Sequence, residues 1–170
     1  GNVTAMQNLF MDCKSLETLK VADWNTSKVT DMTSTFRGCL NLEELDVSEW
    51  DTGNVTTLLA TFQDLPKIET VDIADWNVSK VTDMKQLFNR CTSLQTVDLS
   101  DWDMGNVTNM EIMFQDCESL AALDVSKWDT GNVTTMFGTF LGCYALEELD
   151  VSLWDVSKVT NFDSTFGSQH

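Results

Sequence analysis

Residues 120–143 read LAALDVSKWDTGNVTTMFGTFLGC, and this pattern of residue types returns every 26 residues along the 170-residue chain. Tryptophan marks the register, because one stands at the same place in each complete unit, at Trp24, Trp50, Trp76, Trp102, Trp128 and Trp154. A unit of this size cannot enclose a core, so its apolar side chains must be buried against those of the preceding and following units. The repeat therefore predicts a solenoid of about six and a half coils.

The first half of each unit has the pattern of a half-buried β-strand. In residues 45–48, Leu45 and Val47 are apolar and alternate with the polar Asp46 and Ser48. A period of two is typical of a strand with one face in the core. Strands that return once in every coil predict a parallel sheet in which neighbours lie about 4.8 Å apart.

The second half of each unit predicts a short α-helix. Met32, Phe36 and Cys39 fall at i, i+4 and i+7, which is the spacing of one helix face. Thr30 precedes this stretch where a helix N-cap is expected, and Gly38 suits the helix exit. The two halves together predict an α/β solenoid with a parallel sheet on one face and short helices on the other.

Two motifs of the unit carry a resemblance to a known family. They are Leu-x-x-Leu-Asp-Val-Ser-x-Trp, as in residues 146–154, and Val-Thr-x-Met-x-x-x-Phe-x-x-Cys, as in residues 29–39. The unit is similar to the 26-residue repeat of BspA-like leucine-rich-repeat bacterial surface proteins, and the similarity covers essentially the whole chain. The resemblance implies a leucine-rich-repeat-like solenoid on the outside of a bacterial cell, associated with adhesion and without catalytic residues. Residues 1–170 are then expected to be a single repeat domain and a fragment of a longer surface protein.

Composition excludes several classes of function. Ten Lys and Arg against 27 Asp and Glu give a net charge of −17, so nucleic acids and anionic membranes would be repelled. No apolar run approaches the roughly 18 residues of a membrane-spanning helix. The one histidine is His170, which leaves no imidazole for a triad or a zinc site within the repeats. Because the carboxylates stand in equivalent sites, a glycosidase pair with two different environments is not expected either, and we predict that the chain is not an enzyme.

One column of carboxylates is the candidate binding site. We call a set of equivalent residues in successive coils a column, and we call this one the acidic row, which consists of Asp46, Asp72, Asp98, Asp124 and Asp150. At about 4.8 Å, each neighbouring pair repels by about 0.9 kcal/mol even in water. Hydrogen bonds from adjacent hydroxyls and N–H groups would offset this repulsion, whereas a functional interpretation makes the row a site for Ca²⁺ or for Lys and Arg side chains of a partner.

This row and the resemblance together predict an interaction module. The expected partner is a host or matrix protein or a glycan bound to the sheet face, without a required cofactor. A structural spacer with no ligand of its own is the alternative. The sequence specifies neither the ligand nor the oligomeric state.

The tryptophan and cysteine columns have simpler explanations. Each Trp is expected to pack in the core, although a row of exposed indoles would suit glycan stacking. Cysteines occupy five of six slots of one column, and Leu65 takes the other, so the slot is expected to be a buried apolar site with free thiols. Neighbouring thiols such as Cys13 and Cys39 would still come near bridging distance.

Overall fold

The strand halves of the coils stack in parallel, as the alternation predicts, but within residues 2–167 only two of them form regular strands. The computed structural model describes residues 2–167, so Gly1 and residues 168–170, with the single histidine, lie outside the described residues. Strand β1 (Thr18–Lys20) pairs with β2 (Glu44–Asp46) in parallel, with Leu19 opposite Leu45. In later coils the pairing is reduced to single bridges, from Thr70 to Thr96 and from Thr96 to Ala122.

Turns on both sides keep each strand short. The N–H of Leu42 donates to the carbonyl of Cys39 before β2, and the N–H of Trp50 donates to the carbonyl of Val47 after it. Only a few residues between these turns can adopt the extended conformation of a strand. The continuous sheet that the sequence predicts is therefore a narrow parallel stack, although the alternation of half-buried Leu45 and buried Val47 with exposed Asp46 is as predicted.

The prediction of a helix in the second half of the unit was wrong, because the described residues 2–167 contain no helix. Every second N–H group of this half of the unit donates to a carbonyl in the next coil instead of one within the same segment. The N–H groups of Ser34 and Phe36 donate to the carbonyls of Leu59 and Thr61 in the next coil, at 2.8 and 3.0 Å. The N–H groups between them close turns to the carbonyl three residues earlier, as from Thr35 to Met32.

Left-handed residues enforce this chain path. Ser34 has φ of 54° and Gly38 has φ of 73°, and their equivalents in other coils, such as Ala60 and Asp64, share this conformation. A left-handed residue every fourth position interrupts any right-handed helix. The same four-residue spacing nevertheless points Met32 and Phe36 inward, which explains why the pattern imitates a helix face. With no helix present, Thr30 is not an N-cap, and its hydroxyl donates instead to the carbonyl of Thr4 at 3.2 Å.

The core consists of columns of identical or similar side chains. Phe36 and Phe62 stack with ring centroids 5.6 Å apart and planes within 8°, and Trp50 stacks on Trp76 at 6.3 Å. The interior members of these columns are buried almost completely. Since each ring covers its neighbours, the coils supply for one another the core that a single unit lacks.

Within residues 2–167 there is no helix of the length and apolarity needed to cross a membrane.

Candidate functional site: the acidic row

The five carboxylates of the acidic row all lie on the exposed side of the strand stack. Their place follows from the alternation, because residues such as Leu45 and Val47 on either side of Asp46 face the core. Lys20 begins the same column and stands directly opposite Asp46 in the pairing of β1 with β2. The structure thus aligns the predicted residues on one face and places a cation at the first coil.

Hydrogen bonds from the following serine hold most of these carboxylates. In the fifth coil, the hydroxyl and the N–H of Ser126 donate to Oδ1 of Asp124 at 2.7 and 3.0 Å. Asp46 accepts the same pair of hydrogen bonds from Ser48, at 2.9 Å and 3.2 Å. The pairs at Asp98 and Ser100, and the N–H of Ser152 at Asp150, follow the same geometry. These bonds are the structural compensation that the sequence predicts for the repulsion along the row.

The same contacts favour the ionised form of three carboxylates of the row. The hydroxyl of Ser126, followed by its N–H, lowers the pKa of Asp124 below its ordinary value. The N–H and the hydroxyl of Ser100 lower the pKa of Asp98, although the neighbouring charge of Asp124 opposes this shift. Hydrogen bonds from Ser152 lower the pKa of Asp150 in the same way. Because these donors bind the ionised form, Asp98, Asp124 and Asp150 keep their negative charges at neutral pH.

A shallow groove runs beside the row, and it was not predicted from the sequence. It has a volume of about 480 Å³, and its lining includes Asp72, Asp98 and Asp124 together with the small side chains of Thr96 and Ala122. A second depression of about 630 Å³ adjoins β1 and β2 and includes Lys20 and Asp46. The sequence signal for this groove was a column of small residues two positions before the carboxylates. The short side chains of Thr70, Thr96 and Ala122 leave space on the exposed face of the stacked strands.

A second carboxylate column has a structural role. Asp103 and Asp129 follow tryptophans, and Oδ1 of each accepts the N–H of a glycine two residues later, at 3.1 and 3.0 Å. Asp155 accepts the N–H of Ser157 at 2.9 Å, and this bond, with one from the Ser157 hydroxyl, lowers the pKa of Asp155. These contacts fix the turn, as local side-chain to backbone bonds do elsewhere.

No group of three or more His, Cys, Asp or Glu residues suited to a metal ion is found in residues 2–167.

The tryptophan column is core, as predicted. The exposed fraction is 3% at Trp50 and 1% at Trp128, whereas Trp24 in the first coil is 43% exposed and Trp154 in the last is half-buried. A row of exposed indoles for glycan stacking therefore does not form among the described tryptophans.

The cysteine column is also explained by packing. Cys39, Cys91 and Cys117 are buried, and all five thiols are free, with Cys13 exposed. Each buried Sγ donates to the carbonyl of a phenylalanine in the preceding coil, as from Cys91 to Phe62 at 3.0 Å. Leu65 fills the remaining slot with no exposed surface. The column thus accommodates leucine as well as cysteine.

The repeat matches a known family along its whole length. The family model described as "Mycoplasma protein of unknown function, DUF285" matches residues 1–95 and residues 94–170. The chain belongs to the DUF285 family. Its description names no activity, so membership adds no function to the geometry of the acidic row.

One solved structure is also similar to this DUF285 chain. It is a leucine-rich repeat protein from Bacteroides ovatus ATCC 8483, with 18% sequence identity and a TM-score of 0.46. The match covers 94% of this chain and 45% of that one, so the DUF285 chain spans less than half of that protein's length. No curated protein gives a significant match.

Proposed function

We propose that this chain is a non-catalytic interaction module of a bacterial surface protein, with a leucine-rich-repeat-like solenoid that binds a host or matrix protein or a glycan through the acidic row. The observation that carries the proposal is the alignment of five exposed carboxylates on one face, beside a groove lined by Asp72, Asp98 and Asp124. Placement outside the cell belongs to the same proposal and rests on the resemblance of the repeat to surface proteins.

The chemistry of the row favours a cationic partner. Charges that are fixed by short local hydrogen bonds lose little side-chain entropy on binding, and they attract Lys and Arg groups. With a net charge of −17, the chain also steers such partners from a distance at low ionic strength. For a glycan, the carboxylates and the threonine hydroxyls of the groove offer acceptors and donors at a regular spacing.

The test is binding of the purified chain to arrays of glycans and of extracellular-matrix proteins. A triple variant, Asp72→Lys, Asp98→Lys and Asp124→Lys, reverses the charge along the groove. We expect this variant to lose the interactions that the unmodified chain makes on the arrays.

A matched control is available in the second carboxylate column. Asp103→Lys, Asp129→Lys and Asp155→Lys change the net charge by the same amount and also remove acceptors of local turn hydrogen bonds. Binding should survive in this control. An equal loss of binding in both variants would mean that binding depends on net charge alone. Binding that survives charge reversal along the groove would refute the acidic row as the site.

The spacer interpretation makes a different prediction. A segment that only holds other domains at a distance has no ligand of its own, so the unmodified chain would bind nothing on either array. Cooperative unfolding of the same preparation would show that the absence of binding is not caused by misfolding.

A further inference from the structure

A second stack of parallel bridges runs along the coils, half a repeat away from the strands. It joins Thr57 to Asp83 and Asp83 to Asn109, and it continues through Thr135. In each coil the next residue, such as Met84, is buried, so the residue after it faces outward again. This alternation gives the stack an outward face with two columns in the second to fifth coils. We call it the ladder face, and its half-buried members are Thr57, Asp83, Asn109 and Thr135 together with Leu59, Lys85, Glu111 and Phe137.

The net charge of the chain lies entirely on the strand halves. These are residues 16–25, 42–51, 68–77, 94–103, 120–129 and 146–155, and they hold 19 carboxylates and two lysines. The rest of the chain, which includes the ladder face, holds eight carboxylates and eight Lys or Arg residues. Two copies that approach through their strand halves repel each other, whereas the ladder faces meet without net repulsion. The charge distribution therefore favours the ladder half over the strand half for contact between copies.

The second column of the ladder face is complementary to a reversed copy of itself. In it, the apolar Leu59 and Phe137 flank a cation and an anion, Lys85 and Glu111. Nζ of Lys85 lies 2.9 Å from Oε1 of Glu111, and the two side chains keep 33% and 29% of their surface exposed. Leu59 and Phe137 are outside the hydrophobic core. When such a column meets its own reverse, each charge faces its opposite and each apolar side chain faces an apolar one.

We propose that the ladder face docks a second copy of this chain, antiparallel to the first, about a two-fold axis between the third and fourth coils. The axis is perpendicular to the stacking direction, so each column meets its own reverse. Lys85 then faces Glu111 of the second copy, and Leu59 faces Phe137. The other column places Thr57 opposite Thr135 and Asp83 opposite Asn109, so no like charges face each other.

A two-fold contact uses the same surface on both copies, so association stops at a dimer. The acidic rows, half a repeat away from the ladder face, stay exposed in this dimer. The proposal does not depend on the acidic row binding a ligand.

The test measures the mass of the 170-residue chain against concentration by sedimentation equilibrium, and we expect a reversible monomer–dimer equilibrium. Lys85→Glu is the main variant, because it brings two pairs of like charges together across the two-fold axis. Its dimer dissociation constant should rise about tenfold or more. Adding Glu111→Lys restores opposite charges within and between the copies and should restore the dimer. Phe137→Thr should also weaken the dimer, and the fold accepts threonine in this column because Thr33 occupies it in the first coil.

Matched controls lie on the strand halves. Lys127→Glu makes the same change in net charge as Lys85→Glu, and it also breaks an ion pair between coils, with Asp101 at 2.8 Å. Leu153→Thr removes an apolar side chain from a residue that is 78% exposed. Both controls should leave the dissociation constant unchanged.

A chain that stays monomeric up to about 1 mM would overturn the proposal. An association that Lys127→Glu weakens as much as Lys85→Glu does would overturn it as well, because net charge alone would then explain the effect. Association that neither Lys85→Glu nor Phe137→Thr weakens would show that the copies meet through another surface.

Discussion

The indole N–H of Trp76 donates a 3.1 Å hydrogen bond to the carbonyl of Val47, 29 residues earlier in the chain. Trp102 makes the same bond to Ile73, also at 3.1 Å. Each bond crosses from one coil to the preceding one, inside the core. The tryptophan column therefore connects the coils by a polar contact as well as by ring stacking, which explains why tryptophan rather than phenylalanine occupies it.

Trp76→Phe should keep most of the packing but remove one of the two hydrogen bonds that the Val47 carbonyl accepts, the other coming from the backbone N–H of Trp50. One such hydrogen bond contributes about 0.5–1.5 kcal/mol, so we expect the free energy of unfolding to fall by about that amount. Denaturant titration followed by circular dichroism measures it. Trp24→Phe is the control, and because Trp24 is 43% exposed its effect should be smaller. Equal effects at the two positions would contradict this explanation of the column.

Ser126→Ala should raise the pKa of Asp124 towards its ordinary value, because it removes the hydroxyl that contributes most to lowering that pKa. Carboxyl-carbon NMR during a pH titration reports the shift, and Asp150, whose donor is Ser152, provides an internal reference. A depressed pKa in the folded state stabilises the protein above the unfolded pKa of about 4. That contribution is lost as the pH falls through the folded pKa, so the variant should lose stability relative to the parent above pH 4 and converge with it in stronger acid.

Native thiol reactivity should be confined to the first coil. Cys13 is exposed, whereas burial raises the pKa of Cys39 to about 11 and that of Cys91 to about 12. Since the thiolate is the reactive form, an aromatic disulfide reagent at mildly alkaline pH should modify Cys13 quickly and the buried thiols only after unfolding. Cys13→Ser should remove the fast phase. A fast phase that persists in this variant would show that the buried column opens in the native state.

Calcium should not change the thermal stability. A cation that binds the folded state raises the melting temperature by linkage. In the acidic row, however, Oδ1 of Asp98 and Asp124 already accepts two hydrogen bonds each from the following serine. We therefore expect equal melting temperatures with millimolar Ca²⁺ and with chelator. A saturable rise with Ca²⁺ would instead support the cation site that the spacing of the row suggested.

The repeat, the core columns and the exposed acidic row could all be predicted, because they depend on period and on alternation within one unit. The helix could not be excluded in this way. Met32 and Phe36 have the same spacing on a helix and on successive four-residue turns, and the partners of their N–H groups lie in the next coil. A column in which Asp12, Gly38 and Asp64 alternate was the available signal, since these residue types are enriched in the left-handed conformation.

The groove was missed for a different reason. A groove depends on the volumes of side chains brought together from several coils, here Thr96 and Ala122 beside Asp98. This property arises from the stacking of coils, and the sequence of a single unit does not reveal it.

The hydrogen bonds between coils also determine how the chain responds to force. Bonds such as that from Ser34 to Leu59 join successive coils, so they point along the direction in which the coils stack. Tension applied between the two ends pulls these bonds apart one junction at a time, instead of shearing many at once. Each released coil of 26 residues adds up to about 90 Å of extended chain, which makes the array an extensible tether that lengthens stepwise under load.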